Sequence, residues 1–228
     1  MEAILGNRLL MLLWKILCRR SLKYFTFLFI DCLKGLDFCL RVRPEAVGLD
    51  PEKVYCSSPS GNEYLYFLLQ DIGITCNDRI MDIGCGKGSA MRTMLSFPFA
   101  RIGGIEISGS IGETAKRNFE RLKADRVEVY IGDAVRFEGY GGYNMYYLYN
   151  PFSMDTLEQV LERIRNSTSE DQEKIIIYNN PVFGEKVIEA GFGKLKEYPD
   201  EWGNGIWVCS NRPARLSRLG QRRSASEG

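Results

Sequence analysis

The chain of 228 residues contains no histidine. Histidine is the side chain that most often acts as a general base near neutral pH and most often binds metals in proteins. Its absence excludes catalytic triads and metal centres that depend on imidazole. We predict no metal site, and any proton transfer must use another side chain.

Closely paired cysteines are also lacking. The seven cysteines stand at positions 18, 32, 39, 56, 76, 85 and 209, and no two have the Cys-x-x-Cys spacing of zinc sites and redox motifs. This scatter is typical of reduced thiols in a reducing compartment. The sequence therefore predicts a cytoplasmic protein.

Long apolar runs are absent even from residues 1–49, the most apolar part of the chain. The longest uncharged runs there are residues 9–14 and 24–30, whereas a membrane-spanning helix needs about 20 residues. Leucines and isoleucines recur at helical spacing with arginines and lysines between them, which predicts one or two amphipathic helices. Three roles stay open: a cover beside the active site, peripheral contact with a membrane surface, or a partner interface.

Charge of one sign is not in excess. The 30 Lys and Arg residues against 29 Asp and Glu leave a net charge of +1, so no global field draws the chain toward nucleic acid. Residues 213–228 form a basic tail with little to bury, which predicts disorder; a nucleic-acid-binding arm is the alternative. The predicted organisation is an N-terminal helical segment (1–49), one folded domain (50–212) and this tail (213–228).

Between residues 50 and 212, short apolar runs alternate with helical patterns. We expect strands at 79–83, 101–107, 127–131, 143–149, 174–178, 194–198 and 206–209, and helices at 63–70, 88–97, 110–123, 155–165 and 182–190. This order predicts an α/β fold: a doubly wound, mostly parallel seven-stranded sheet with an antiparallel hairpin at its end. Ligands bind such sheets beyond the carboxyl ends of the strands, where the strand order reverses.

The first predicted strand ends in Asp-Ile-Gly-Cys-Gly-Lys-Gly, residues 82–88. A phosphate-binding P-loop requires a different glycine spacing, and the dinucleotide fingerprint requires a third glycine where this chain has Ser89. A carboxylate at Asp82 repels a pyrophosphate and attracts an ammonium group. The segment resembles the first motif of class I S-adenosylmethionine (SAM)-dependent methyltransferases.

The resemblance implies a Rossmann-like methyltransferase fold with SAM as cofactor and S-adenosylhomocysteine as product. In that family the acidic residue and the glycine turn hold the methionine part of the cofactor, which assigns this role to Asp82, Gly84, Gly86 and Gly88. Two further matches are implied. Glu106 with Ile107 ends the second strand at the ribose, and Asp133 with Ala134 follows the third strand at the adenine.

The fourth motif of the family faces the transferred methyl group. Here it reads Asn150-Pro151-Phe152; families that methylate amino groups carry Asn or Asp, two prolines and an aromatic residue. The single proline makes this match incomplete. Asn150, Pro151 and Phe152 are the candidate catalytic residues, and Asn150 is also a candidate cofactor contact. The alternative is that Asn150 caps a turn and Phe152 packs in the core.

No second domain and no long insertion is apparent, which favours a compact acceptor site. We expect a SAM-dependent methyltransferase acting on a small-molecule or glycan acceptor. Two alternatives stay open: an N-methyltransferase acting on an amino group of protein or nucleic acid, and a catalytically silent SAM-binding or scaffold protein. The oligomeric state is not indicated by the sequence.

Overall fold

The computed structural model describes residues 28–38, 40, 42, 59–167, 172–200 and 202–212, and these contain a single seven-stranded sheet. The strand order is β3-β2-β1-β4-β5-β7-β6. The strands are β1 (Arg79–Ile83), β2 (Arg101–Glu106), β3 (Val127–Ile131), β4 (Met145–Tyr149), β5 (Ile175–Asn179), β6 (Gly193–Tyr198) and β7 (Ile206–Ser210). This arrangement confirms the predicted fold class, including its antiparallel end, where β7 pairs with both β5 and β6.

Helices cover both faces of the sheet. They are α1 (Glu63–Ile72), α2 (Ser89–Met94), α3 (Gly109–Arg121), α4 (Met154–Asn166) and α5 (Gly184–Glu189). Two cores result, one beneath α1, α2 and α3 and the other beneath α4 and α5. Because both faces are covered, the central strands are apolar and almost continuously buried, as parallel strands require.

The strand order reverses at β1, which pairs in parallel with β2 on one side and with β4 on the other. The chain therefore winds outward in opposite directions from β1 and β4. A crevice opens between their carboxyl ends, because the connections leave to opposite sides. The glycine-rich segment 84–88 begins at this point.

Strand β4 begins two residues later than expected, at Met145. A short 3-10 turn at Gly139–Gly142 precedes it, and Tyr143 donates its backbone N–H to the Tyr140 carbonyl. Tyr143 therefore lies outside the strand, and its ring packs over Gly103 in β2. Side-chain packing thus overrides the strand propensity of the aromatic run.

Helices α2 and α5 are shorter than expected. Helix α2 ends at Met94 because the carbonyls of the next residues accept hydrogen bonds from the Arg126 guanidinium, which binds Leu95, Phe97 and Phe99. Helix α5 starts two residues late because Asn180-Pro181 forms a turn in which the Val182 N–H donates to the Asn180 carbonyl.

The described part of the N-terminal region, residues 28–38, begins with helical residues 28–33 and packs on α2 and α3. Asp31 pairs with Arg92 of α2 at 2.7 Å, and Phe38 contacts Phe119 of α3 edge to face. Most of the predicted N-terminal helical segment (1–49), and the basic tail at 213–228, lie outside the described residues. The predicted domain boundaries stay predictions.

Replacing Gly103 with Ala should destabilise the fold. A Cβ at this position would lie 2.3 Å from the Tyr143 hydroxyl oxygen, and the Tyr143 ring is buried and cannot move freely. We expect a loss of about 1–3 kcal/mol in the free energy of unfolding, measured by urea denaturation. Gly109→Ala is the control, because a Cβ there meets nothing within 4 Å, and it should be neutral or stabilising. Equal effects of the two substitutions would contradict this packing.

Candidate functional site

The loop after β1 is shaped by three glycines with left-handed backbone angles. The φ angles of Gly84, Gly86 and Gly88 are +77°, +54° and +88°, a region that other residues rarely adopt. A Cβ on Gly84 would lie 2.6 Å from the Pro151 ring, and one on Gly88 would collide with Phe119. The loop therefore passes close to its neighbours and presents bare backbone at the switch point of the sheet.

Asp82 lies in β1, two residues before the loop, and is buried. Burial, and to a lesser extent the charge of Glu106, raise the pKa of its carboxyl to about 8. Both influences oppose ionisation, so this carboxyl lies in surroundings that favour a nearby cation. An ammonium group bound over the glycine loop would supply that cation.

Glu106 ends β2 and joins the loop to the second strand. Its carboxylate accepts hydrogen bonds from the backbone N–H of Gly86, at 3.0 Å, and of Ser108, at 2.9 Å. Burial raises the pKa of Glu106, and these hydrogen bonds oppose the rise. Because a carboxylate offers about four lone-pair directions, Glu106 can also accept a hydrogen bond from a hydroxyl group of a ligand.

The residues predicted at the adenine lie at the ends of β2 and β3. Ile107 is exposed, and Asp133 is exposed and accepts a hydrogen bond from the Val135 N–H at 2.9 Å. Ala134 is buried beside Asp133. The arrangement leaves an apolar side chain and a carboxylate accessible at neighbouring strand ends, as a purine ring with an exocyclic amine requires.

The turn after β4 contains the three candidate catalytic residues. Asn150 has a left-handed φ of +41° and is buried, and its Oδ1 accepts a hydrogen bond from the Tyr178 hydroxyl at 3.0 Å. Pro151 packs against Gly84, and Phe152 packs on the core beneath α4 and α5. All three residues have structural contacts, and the turn adjoins the glycine loop.

A buried polar group lies next to this turn, at the end of β5, where the sequence predicts that Asn179 and Asn180 either line the pocket or form a strand-to-helix turn. Asn179 ends β5 in register with Tyr149, and its Nδ2 donates to the Tyr147 hydroxyl at 3.0 Å. The Oδ1 of Asn179 is buried and has no hydrogen-bond partner within the described residues. The dipeptide Asn-Pro follows both β4, at 150–151, and β5, at 180–181, and the structure gives Asn150 and Asn180 positive φ angles.

Tyr147 connects Asn179 to Asp82. It lies beside Asp82 in the β1–β4 register, and its hydroxyl also contacts Ser60, ahead of α1. Burial raises the pKa of the Tyr147 hydroxyl, which therefore stays protonated at neutral pH. The candidate site is thus a continuous polar edge running from Glu106 through Asp82 and Tyr147 to Asn179.

Comparison with known proteins agrees with this geometry. A methyltransferase domain model matches residues 80–171, which span β1 to the end of α4. Residues 80–171 form a methyltransferase domain. The resemblance to SAM-dependent methyltransferases found in the sequence is thereby confirmed. No curated protein matches the chain.

Solved structures share the fold of this chain at low sequence identity. A SAM-dependent methyltransferase from Aquifex aeolicus matches with a TM-score of 0.52 and 14% identity, over 64% of this chain and 87% of the other. The putative methyltransferase yhhF from Escherichia coli matches with a TM-score of 0.56 and 18% identity, over 75% and 97%. The pyocyanin biosynthetic protein PhzM matches with a TM-score of 0.51 and 15% identity, over 64% and 54%.

The described residues were also compared with the requirements of metal binding and of membrane spanning. Within the described ranges, no cluster of Cys, Asp and Glu has the arrangement of a metal site. In the same part of the chain, no helix is long and apolar enough to span a bilayer.

The pKa of Asp82 predicts a specific pH dependence of stability. The unfolded carboxyl ionises near pH 4 and the folded one near pH 8, so between these values the folded state holds the extra proton and stability falls as pH rises. We expect the wild-type protein to lose about 2–5 kcal/mol of its free energy of unfolding between pH 5 and pH 8, and Asp82→Asn to abolish this loss. Urea unfolding of both proteins at the two pH values measures it. Parallel pH profiles would contradict the burial of an ionisable Asp82.

Proposed function

We propose that this methyltransferase transfers a methyl group from SAM to a small, polar acceptor, either a small molecule or the end of a glycan. The observation that carries the proposal is the pair of buried carboxyls, Asp82 and Glu106, on either side of the glycine loop. One lies in surroundings that favour a cation, and the other keeps lone pairs for hydroxyl groups. A molecule with an amino group and a ribose satisfies both.

The residues assigned to the cofactor follow from this chemistry. Asp82 would pair with the amino group, and Gly84, Gly86 and Gly88 would leave room for the methionine part. Glu106 would accept from the ribose hydroxyls, Ile107 would contact the adenine, and Asp133 with Ala134 would bind its amino edge. These residues fit the cofactor without any further group, since the loop carries bare backbone where a side chain would intrude.

SAM supplies a methyl carbon on a cationic sulfur, which leaves as a neutral thioether when the acceptor atom attacks in line. The protein binds and aligns both partners and excludes water. An amine acceptor must lose its proton before it attacks, whereas a hydroxyl acceptor needs a base. Tyr147 is not that base, because its pKa is raised.

The acceptor site is assigned to the carboxyl ends of β4 and β5. Asn150 and Pro151 border the glycine loop here, and Asn179 contributes a buried amide. Such a short polar edge suits a small acceptor better than a long polymer. The resemblance of Asn150-Pro151-Phe152 to the motif of amino-group methyltransferases supports the second candidate, an amino group of protein or nucleic acid. The Asn150 Oδ1 is engaged by Tyr178, which weakens that support.

A titration with SAM tests the cofactor assignment. We expect saturable calorimetric binding of SAM and none of NAD. Glu106→Gln keeps the size of the side chain and removes its charge, so SAM affinity should fall about tenfold as charge-assisted hydrogen bonds are lost. Glu128→Gln is the matched control, since Glu128 is a half-exposed residue of β3 paired with Arg101. A folded Glu106→Gln protein with wild-type affinity would contradict the assignment.

Turnover distinguishes an enzyme from a silent scaffold and tests the acceptor site. S-adenosylhomocysteine formation is measured with pools of amines, phenols and sugars, with peptide and nucleic-acid pools as comparison.

Once an acceptor has been found in this way, Asn179→Ala should lower kcat/KM about tenfold through one lost hydrogen bond while SAM affinity stays unchanged. Asn77→Ala, in the loop before β1, is the control. An equal kcat/KM in all three proteins would remove Asn179 from the acceptor site.

A further inference from the structure

The described N-terminal segment reaches the glycine loop itself. Asp37 forms an ion pair with Lys87, with 2.5 Å between Oδ2 and Nζ. Lys87 lies between Gly86 and Gly88, so this contact joins a residue near the start of the chain to the middle of the loop. Lys87 is buried, with only 9% of its surface exposed, and its ammonium group is therefore held in one direction.

A buried asparagine of α3 strengthens the same contact. The Asn118 amide accepts from the Asp37 N–H at 2.9 Å, and its Nδ2 donates to the Asp37 carbonyl at 2.9 Å and to the Lys87 carbonyl at 3.1 Å. One side chain thus binds the backbone of both ion-pair partners. The segment and the loop are held together by a charged contact and by backbone hydrogen bonds.

These contacts continue into the cofactor side of the loop. Gly86, adjacent to Lys87, donates its N–H to Glu106. A shift of Lys87 is transmitted to this N–H through the backbone of Gly86, since only the φ and ψ rotations of Gly86 separate the N–H from the rigid peptide bond to Lys87. Asp37 is therefore connected to the proposed ribose-binding carboxylate through Lys87 and Gly86.

The segment does not need Asp37 in order to dock. Asp31, which is buried, pairs with Arg92 of α2. The Arg92 guanidinium also lies over the Phe38 ring, 4.9 Å from its centroid, and Phe38 packs on Phe119. These contacts anchor the segment to α2 and α3, whereas the Asp37 side chain is directed to the loop.

We propose that residues 31–38 form a clamp on the glycine loop, with Asp37 as a positioning residue that presets the loop for SAM. This inference rests on the proposed function, since SAM is the ligand for which the loop is preset. A loop with three left-handed glycines has many accessible conformations, and fixing them before binding lowers the entropy cost of binding. The clamp gives the N-terminal segment a role at the cofactor rather than only in packing.

The test compares two aspartates that each form a 2.5 Å ion pair with a lysine. Asp37→Asn removes the charge facing Lys87, and Asp71→Asn does the same to the pair with Lys196, which joins α1 to the edge strand β6. We expect Asp37→Asn to weaken SAM binding about tenfold by calorimetry, Asp71→Asn to leave it unchanged, and Asp37→Glu to restore most of the affinity. An affinity of folded Asp37→Asn within twofold of wild type overturns the proposal.

A double-mutant cycle shows whether the two side chains act as a unit. Lys87→Met keeps the stem of the side chain and removes its charge. If the clamp works through the ion pair, Lys87→Met weakens SAM binding in the wild type and causes little further loss in Asp37→Asn. Additive losses in the double variant overturn the role of the pair.

Hydrogen exchange of the protein without ligand separates the clamp from the cofactor assignment. The Gly86 and Gly88 amides donate to Glu106 and to the Cys85 carbonyl, respectively, so their exchange reports on loop order. We expect faster exchange at both amides in Asp37→Asn and not in Asp71→Asn. A wild-type protein that does not bind SAM would refute the proposed function; the exchange result would still decide the clamp, because unchanged exchange in Asp37→Asn overturns it.

Discussion

The burial of two carboxyls at the ends of neighbouring strands is the constraint on which the site depends. Asp82 and Glu106 occupy the carboxyl ends of β1 and β2 and face low-dielectric surroundings. Buried carboxylates destabilise a fold unless hydrogen bonds or cations compensate them. Glu106 obtains two backbone N–H groups, and one of these orders the glycine loop. Burial and the charge of Glu106 raise the pKa of Asp82, so ionising it is costly, and the proposed cationic ligand would offset that cost.

The positions of the surrounding loop, helix and strand end depend on this pair of carboxyls. The loop can donate to Glu106 only where glycine permits left-handed backbone angles. Gly84 then lies against Pro151, which joins the loop to the turn after β4. Helix α3 begins directly after Ser108, whose backbone N–H also binds Glu106 and whose hydroxyl caps the helix. One carboxylate thus fixes the loop, the start of a helix and, through the loop, the next strand end.

Much of this was predictable from the sequence because it is local. The apolar run, the acid and the glycines of residues 79–88 lie within ten positions, and their order alone places Asp82 at a strand end beside a loop. The alternation of strands and helices likewise predicts the sheet. Contacts between distant positions were not predictable: Arg126 ends α2, Tyr143 leaves β4 to pack on Gly103, and Asp37 meets Lys87. Each depends on packing that no local pattern encodes.

The position of β7 has a consequence for the way the protein is made. Residues 206–210 do not extend the sheet at its edge; they insert between β5 and β6, which are already present in the chain by then. On the ribosome, β5 therefore emerges with an open edge and stays unpaired on that side until more than twenty-five further residues have been synthesised. An unpaired apolar edge is a template for intermolecular pairing. Nascent chains that stop before β7 would expose this edge of β5, so among the described strands protection against aggregation depends on β7.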